Sequence, residues 1–289
     1  MLDGTLGGGG HSLALLESGV TKVVGVDRDP DAIDAARRRL AVFAASGRFE
    51  AHLGNYAGIE EIPALAAQRF HGILLDLGIS SHQVDDPSRG FTFRPEAPLD
   101  MRMNRESDTD SPTAAELLNT FDEHALASVF REYGDEHRAH RLAREIVRRR
   151  ATEPFDVSDD LVRAIRGALG PRTGPADFAR LFQAIRIAVN DELVGLEHAL
   201  PILRDRLLAG GVLAVIAYHS GEDRIVKHAF RDWSADCVCP PKQPVCTCRG
   251  RALGEQVSRK AVTPGADELA RNARARSARL RAFRLGVNA

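Results

Sequence analysis

The run Leu2-Asp3-Gly4-Thr5-Leu6-Gly7-Gly8-Gly9-Gly10-His11-Ser12 constrains this chain more than any other stretch. Four consecutive glycines permit positive φ and let bare backbone N–H groups approach a ligand. His11-Ser12 then opens an amphipathic segment whose helix N-terminus adds partial positive charge. Alone, such a run also fits a flexible start, but the next segment of chain favours a ligand loop. Thr21 to Val26 (TKVVGV) reads as a short buried parallel strand ending on Asp27, where nucleotide-binding α/β folds place an acid on the ribose hydroxyls. Met1 to Thr5 is too short for a complete first strand, so the sheet is expected to begin abruptly, its N-terminal lead-in missing.

The α/β rhythm continues. His11 to Gly19 and Asp29 to Phe43 have helical spacing, the second with Pro30 at its first position. Arg48 to Leu53 reads as a third strand leading to Gly54-Asn55-Tyr56, and His71 to Leu77 as a fourth, ending on Asp76-Leu77-Gly78-Ile79-Ser80-Ser81. Polar residues at the carboxyl ends of parallel strands mark a ligand crevice. From Ser81 to Thr113 periodicity vanishes, and the Phe and Met content points to a substrate-facing loop. Helical spacing takes over from Thr113 to about Arg180. A long helical pattern then runs from Phe178 to Gly210-Gly211, with a bend expected at Pro201. Val212 to Tyr218 returns to strand character and ends on His219-Ser220-Gly221-Glu222-Asp223-Arg224. A helix to Trp233, four cysteines, a strand near Gln256 to Val262, a helix around Asp267 to Arg274 and a last strand from Ser277 to Leu285 complete the chain. The division expected is a sheet domain in two parts, 1–112 and 181–289, carrying a helical insertion at 113–180.

The net charge of −1 hides an asymmetry. From Arg249 onward ten Lys/Arg face three acids, and the helix from Arg131 to Arg150 is also Arg-rich. Such a distribution suits either a solvated face or a surface that holds phosphates. No apolar run approaches the ~18 residues that span a bilayer, and no signal peptide opens the chain, so a cytoplasmic protein without a membrane partner is expected.

Several runs together carry a resemblance: Asp3 to Ser12, Val26-Asp-Arg-Asp-Pro30, Leu75 to Ser81, Arg89-Gly-Phe, Pro98-Leu-Asp-Met-Arg-Met103, Phe182-Gln-Ala-Ile-Arg-Ile187 with Asn190, His219-Ser220 with Glu222-Asp-Arg224, and Ala275 to Arg281. Across nearly its whole length the chain resembles the MraW or RsmH family of bacterial small-subunit rRNA methyltransferases, which use S-adenosyl-L-methionine to methylate N4 of a cytidine in the decoding centre of 16S rRNA. The resemblance implies a Rossmann-like methyltransferase sheet with an inserted all-helical subdomain, and as partner the rRNA or the assembled small ribosomal subunit. It implies that Gly9, Gly10 and His11 hold the methionine end of the cofactor, Asp27 the ribose, Tyr56 the adenine by stacking, and Asp76 and Gln83 the remaining polar edges. Tyr56 stands where the family usually has Phe. The Asp/Asn-Pro-Pro-aromatic motif of many amine methylases is replaced by Asp76-Leu77-Gly78-Ile79-Ser80-Ser81, so the groups that handle the amine must differ.

The N4 lone pair of cytosine is delocalised into the ring, so attack on a methyl group needs an acceptor that drains the N–H proton. Asp76, Ser80 and Ser81 are the candidates for accepting it, and His219 or Asp100 for orienting the base or relaying the proton. Two rivals share parts of this pattern: a noncatalytic RNA-binding assembly factor with a relic cofactor pocket, and an NAD-dependent oxidoreductase. Cys237-Val-Cys239 and Cys246-Thr-Cys248 form no disulfide scaffold in a cytosolic chain. Their C-x-C spacing is tighter than that of usual four-Cys zinc sites, so a metal-free loop is favoured over structural zinc, with redox chemistry last, and no metal is assigned.

Overall fold

Val23-Val24-Gly25-Val26-Asp27 has the β-branched make-up of a strand covered on both faces, and it forms β2 (Val23–Asp27) of a seven-stranded sheet. The computed structural model describes residues 1–104, 111–240, 243 and 245–287, with no side chain described at 81 and 82. The other strands are β1 (Leu2–Asp3), β3 (Phe49–Leu53), β4 (Phe70–Asp76), β5 (Leu207–Ala217), β6 (Gly254–Gln256) and β7 (Arg279–Leu285). Their order is β3-β2-β1-β4-β5-β7-β6. β1 to β5 run parallel, while β7 lies antiparallel to both β5 and β6. Although β1 has only two residues, it sits mid-sheet, with Leu2 opposite both Val24 and Ile73.

Helices α1 (Gly10–Glu17), α2 (Pro30–Arg39) and α3 (Ala41–Ala45) fill the first crossovers. Leu40 has a non-helical φ/ψ of −102° and 17°, and it divides what the spacing suggests is one helix into α2 and α3. Next along the chain come α4 (Ser81–Asp85), α5 (Ala114–Thr120), α6 (Glu123–Glu132), α7 (Ala139–Arg150), α8 (Ser158–Leu169) and α9 (Pro175–Val189). α10 (Glu192–Asp205), α11 (Ser220–Trp233) and α12 (Ala266–Arg271) accompany the second half of the sheet.

The chain divides into two compact units, Met1–Gly78 with Leu193–Ala289, and Ile79–Glu192. The helical unit is therefore wider than the 113–180 read from helical spacing. Leu99 and Met101, taken from sequence as part of a substrate-facing loop, are buried with Leu117, Phe130, Leu142, Leu161 and Leu181 in the core of this unit. Phe178, Phe182 and Ile185 belong to the same core, which draws α9 out of the sheet domain. The long helix expected from Phe178 onward breaks at Asn190-Asp191 and not at Pro201. Asp191 takes the left-handed φ of 48°, and Asn190 Nδ2 donates to Met101 O (2.8 Å) and Arg186 O (2.9 Å). Pro201 lies inside α10. In the sheet unit, Leu2, Val24, Ile73, Leu75, Leu213, Val215, Phe230 and Phe283 share one core, while Leu6, Leu16, Val23, Ile33, Leu40 and Phe49 form another.

Candidate active site

The carboxyl ends of β1, β2, β4 and β5 bring the chemistry of the sheet unit together. Between β1 and α1 the glycine loop is tied down by its own backbone: Gly4 N–H donates to Leu74 O (2.9 Å), Leu6 N–H to Val26 O (3.0 Å) and Gly9 N–H to Leu6 O (2.9 Å). Gly9 must be glycine. Its φ is 76°, and a Cβ there would lie 3.1 Å from Leu40 Cδ1 and 3.3 Å from Ala36 Cβ. As the residue preceding α1 it offers no side-chain acceptor, and no side chain caps the helix. The first-turn amides of Gly10, His11 and Ser12 thus form the anion-favouring end of α1.

Asp27 ends β2 as the sequence implies. Its Oδ2 accepts from Gly7 N–H (2.7 Å) and its Oδ1 from Asp29 N–H (2.9 Å), which fixes the carboxylate while leaving lone pairs for ribose hydroxyls. Burial pushes this group above the ordinary carboxylate range despite those two hydrogen bonds. Tyr56 lies beyond the end of β3, half-buried against the sheet core.

Asp76 ends β4 and is the centre of a four-residue knot. Its backbone N–H donates to Thr5 Oγ1 (2.6 Å), its Oδ2 lies 2.9 Å from His11 Nε2, and its Oδ1 accepts from Tyr218 O–H (2.9 Å). The hydrogen bond to Asp76 raises the pKa of His11 over the opposing effect of burial. Burial, with the Asp76 carboxylate alongside, keeps Tyr218 protonated well above the ordinary tyrosine value. The resemblance places His11 and Asp76 at the ligand, but it does not point to Tyr218. The signal that could have found it is positional: Asp76 pairs with Ile216, and Tyr218 lies just past the end of β5 beside it. Asp3 escapes the sequence reading as well. It is buried, accepting from Ser12 O–H (2.7 Å) and Thr5 N–H (3.3 Å), and burial pushes its carboxyl up to about 6.

His219 stands apart from this knot as the N-cap of α11. Its Nδ1 accepts from Gly221 N–H (3.2 Å), and its Nε2 is 3.2 Å from Glu222 Oε1 without hydrogen-bond alignment. Glu222 completes the cap by accepting from the His219 backbone N–H (3.3 Å), and the same oxygen accepts from Tyr218 N–H (2.8 Å). The remaining candidates belong to the helical unit. Gln83 Oε1 accepts from Ser80 N–H (2.9 Å) and Ser80 Oγ from Gln83 N–H (3.2 Å), a reciprocal cap at the start of α4. The side chain of Ser81 lies outside the described residues. Asp100 accepts from Arg102 Nε (2.8 Å) and from its backbone N–H (3.1 Å).

Part of each basic stretch is paired within the protein. In α7, Arg148 and Arg149 pair with Glu145, while Arg150 donates to Leu118 O (2.8 Å) and Phe121 O (2.6 Å). In β7, Arg281 and Arg279 converge on Asp223.

Known proteins share this chain's sequence along nearly all of its length. The ribosomal RNA small subunit methyltransferase H of Gemmatimonas aurantiaca is 65% identical over 284 residues, 98% of this chain and 89% of that protein. Its namesakes from Heliobacterium modesticaldum and Myxococcus xanthus are 46% and 47% identical, each over 97% of this chain and 90% and 89% of theirs. Among solved structures, an rRNA methylase from Streptococcus thermophilus aligns over 99% of this chain and 85% of its own at 10% identity and a TM-score of 0.42, too distant to carry argument. The sequence profile of the MraW methylase family matches residues 1–285, and the chain belongs to that family.

Proposed function

We propose that this protein transfers a methyl group from S-adenosyl-L-methionine to the N4 amine of a cytidine in the decoding region of small-subunit rRNA, in the cytoplasm. Family membership supports rRNA methylation. The observation that carries the chemistry is the Asp76 carboxylate, held between His11 and Tyr218 beside the uncapped N-terminus of α1.

The residues fit a cationic cofactor. Asp3, Asp27 and Asp76 gather at the strand ends, and burial raises Asp3 and Asp27, so a positive charge placed there would be stabilised. The NAD-dependent reading is set aside because the family to which the chain belongs is one of methylases. Asp27 would take the ribose hydroxyls, the amides of Gly10 and His11 the cofactor carboxylate with Gly9 shaping the turn, and Tyr56 the adenine face. When bound, the cofactor supplies a methyl group made electrophilic by its sulfonium.

Asp76 serves the amine. As a carboxylate it accepts an N4–H hydrogen bond, which turns the lone pair out of conjugation, and it takes the proton that N4 loses. His11 and Tyr218 fix the position of both its oxygens and leave the second lone pairs of each available. His219, Asp100 and Ser80 are left out of this step because the contacts above already engage them. The target is expected to be an unstacked loop or junction cytidine, which proteins reach more readily than a base within a helix.

The test is transfer of labelled methyl to unmodified small subunits, with nucleoside analysis of the RNA afterwards. N4-methylcytidine is the expected product. A different methylated nucleoside would overturn the N4 assignment, and cofactor binding without transfer would favour a noncatalytic assembly factor.

A further inference from the structure

The loop joining α11 to β6 contains none of the chemistry above, and it places all four cysteines of the chain together. Every Sγ of Cys237, Cys239, Cys246 and Cys248 lies within 4.8 Å of the others. Four separations are 3.7 Å (237 to 246), 3.9 Å (239 to 246), 3.5 Å (246 to 248) and 3.8 Å (237 to 248). A zinc–sulfur bond of ~2.3 Å requires the edges of a regular S4 tetrahedron to be about 3.8 Å. Two disulfides would instead show two pairs near 2.05 Å. We propose that Cys237, Cys239, Cys246 and Cys248 hold one zinc ion as four thiolates, in a closed structural site independent of methyl transfer.

The C-x-C spacing, which argued against zinc in the sequence, is accommodated by the way the two turns face each other. Val238, the middle residue of the first, donates its N–H to Cys248 Sγ (3.4 Å). Thr247, the middle residue of the second, donates its N–H to Cys239 Sγ (3.4 Å). Each turn thus supports a sulfur of the other, and N–H groups so placed stabilise thiolate charge. The loop needs such a staple. None of its described residues from 234 to 253 is buried, and Val238 and Val245 are exposed. Its base is closed by Leu253 N–H to Trp233 O (2.8 Å) and by Arg249 on Ala235 O (2.9 Å). With no apolar core, burial contributes little to its order, and metal binding would contribute most of it.

Binding is a ligand exchange without redox change. Zn²⁺ forms four Zn–S bonds, four thiols release their protons to solvent, and the complex carries a charge of −2. With all four positions filled by protein, no water can be activated there, so the role is structural. Iron also accepts four tetrahedral thiolates, but redox-inert zinc suits four cysteines none of which is buried.

The full chain, purified under reducing conditions from zinc-supplemented culture, is expected to contain about one zinc per chain by mass spectrometry of the metal. After metal removal, Co²⁺ should restore the visible absorption of a tetrahedral tetrathiolate, and Zn²⁺ should displace it. Cys246→Ser should keep less than about a tenth of the zinc through dialysis. Protease cleavage within 234–253 should accelerate when wild-type protein loses its metal, a readout that survives if the variant fails to fold. One iron per chain, two disulfides in freshly purified protein, or reduced protein that takes up neither Zn²⁺ nor Co²⁺ would each overturn the proposal.

Discussion

Two buried acids behave in opposite ways in the two units. In the sheet unit, Asp3 has a hydroxyl and an amide for partners, and burial pushes it up to about 6. In the helical unit, burial pushes Glu136 up too, but Arg180 at 2.8 Å, the Arg138 N–H at 2.9 Å and both guanidinium charges hold it below the ordinary range. The pattern extends beyond the pair. Glu192 is buried against Arg186 (2.8 Å), and Asp100 is held by Arg102. These three acids of the helical unit each have a guanidinium partner, as Asp223 of the sheet unit has in Arg281. Burial also raises Asp27, and with Asp3 this marks the strand ends of the sheet unit as a place whose charge a cationic ligand would balance.

Substitution at the centre of each unit should separate chemistry from stability. Asp76→Asn is expected to lower methyl transfer by about 10²–10⁴-fold with little change in melting temperature. Asp100→Asn should lower the melting temperature and leave turnover per folded enzyme nearly unchanged. Assays of both variants on unmodified small subunits, with melts alongside, test this; equal turnover losses would erase the distinction between the units.

Asp3 offers a pH test of the same contrast. Its folded pKa of about 6 lies above the ordinary 3.8, so the native state binds this proton more tightly than the unfolded chain does. The stabilisation is fully present below pH 3.8 and is lost as pH rises through about 6, an effect of about 3 kcal/mol for a shift of this size. Asp3→Asn should remove it. Denaturant melts of both proteins at pH 4 and pH 7 measure the change, and a constant difference between them would show that Asp3 is not an uncompensated buried acid.

How far the sequence reaches differs between the units for a physical reason. In the sheet unit, position along a strand decides exposure to the ligand, so Asp27 and Asp76 are legible from the ends of two apolar runs. Tyr218 obeys the same rule at the end of β5 and is hard to read because its partner belongs to another strand. Asp3 is hidden because a two-residue strand has no periodicity to detect. In the helical unit, Leu99 and Met101 lie in aperiodic chain, and only tertiary packing shows them to be core. The left-handed turn at Asp191 is equally hidden, since Asn190 makes it through bonds to residues about ninety positions away. The candidates drawn from this unit, Ser80, Gln83 and Asp100, show polar residues whose local pairing the sequence does not reveal.

Within the sheet unit the smaller effects concern what holds Asp76. Tyr218→Phe removes one hydrogen bond to a carboxylate, a loss expected to reduce turnover by about 10- to 100-fold while cofactor affinity changes little. A matching loss of affinity would mean that the hydroxyl serves the cofactor instead.

His219 tests whether conspicuous polarity at a strand end is enough to assign chemistry. It lies beyond the end of β5 as Asp76 ends β4, yet its ring accepts from Gly221 N–H and lies against Glu222, a capping arrangement that any short side-chain acceptor can reproduce. His219→Ala should therefore cost about 1 kcal/mol of stability. His219→Asn should recover most of that, and both variants should turn over at the wild-type rate when folded. If Asn restores the stability but turnover remains reduced in both, the imidazole acts on the substrate and the active centre extends from Asp76 to the end of β5.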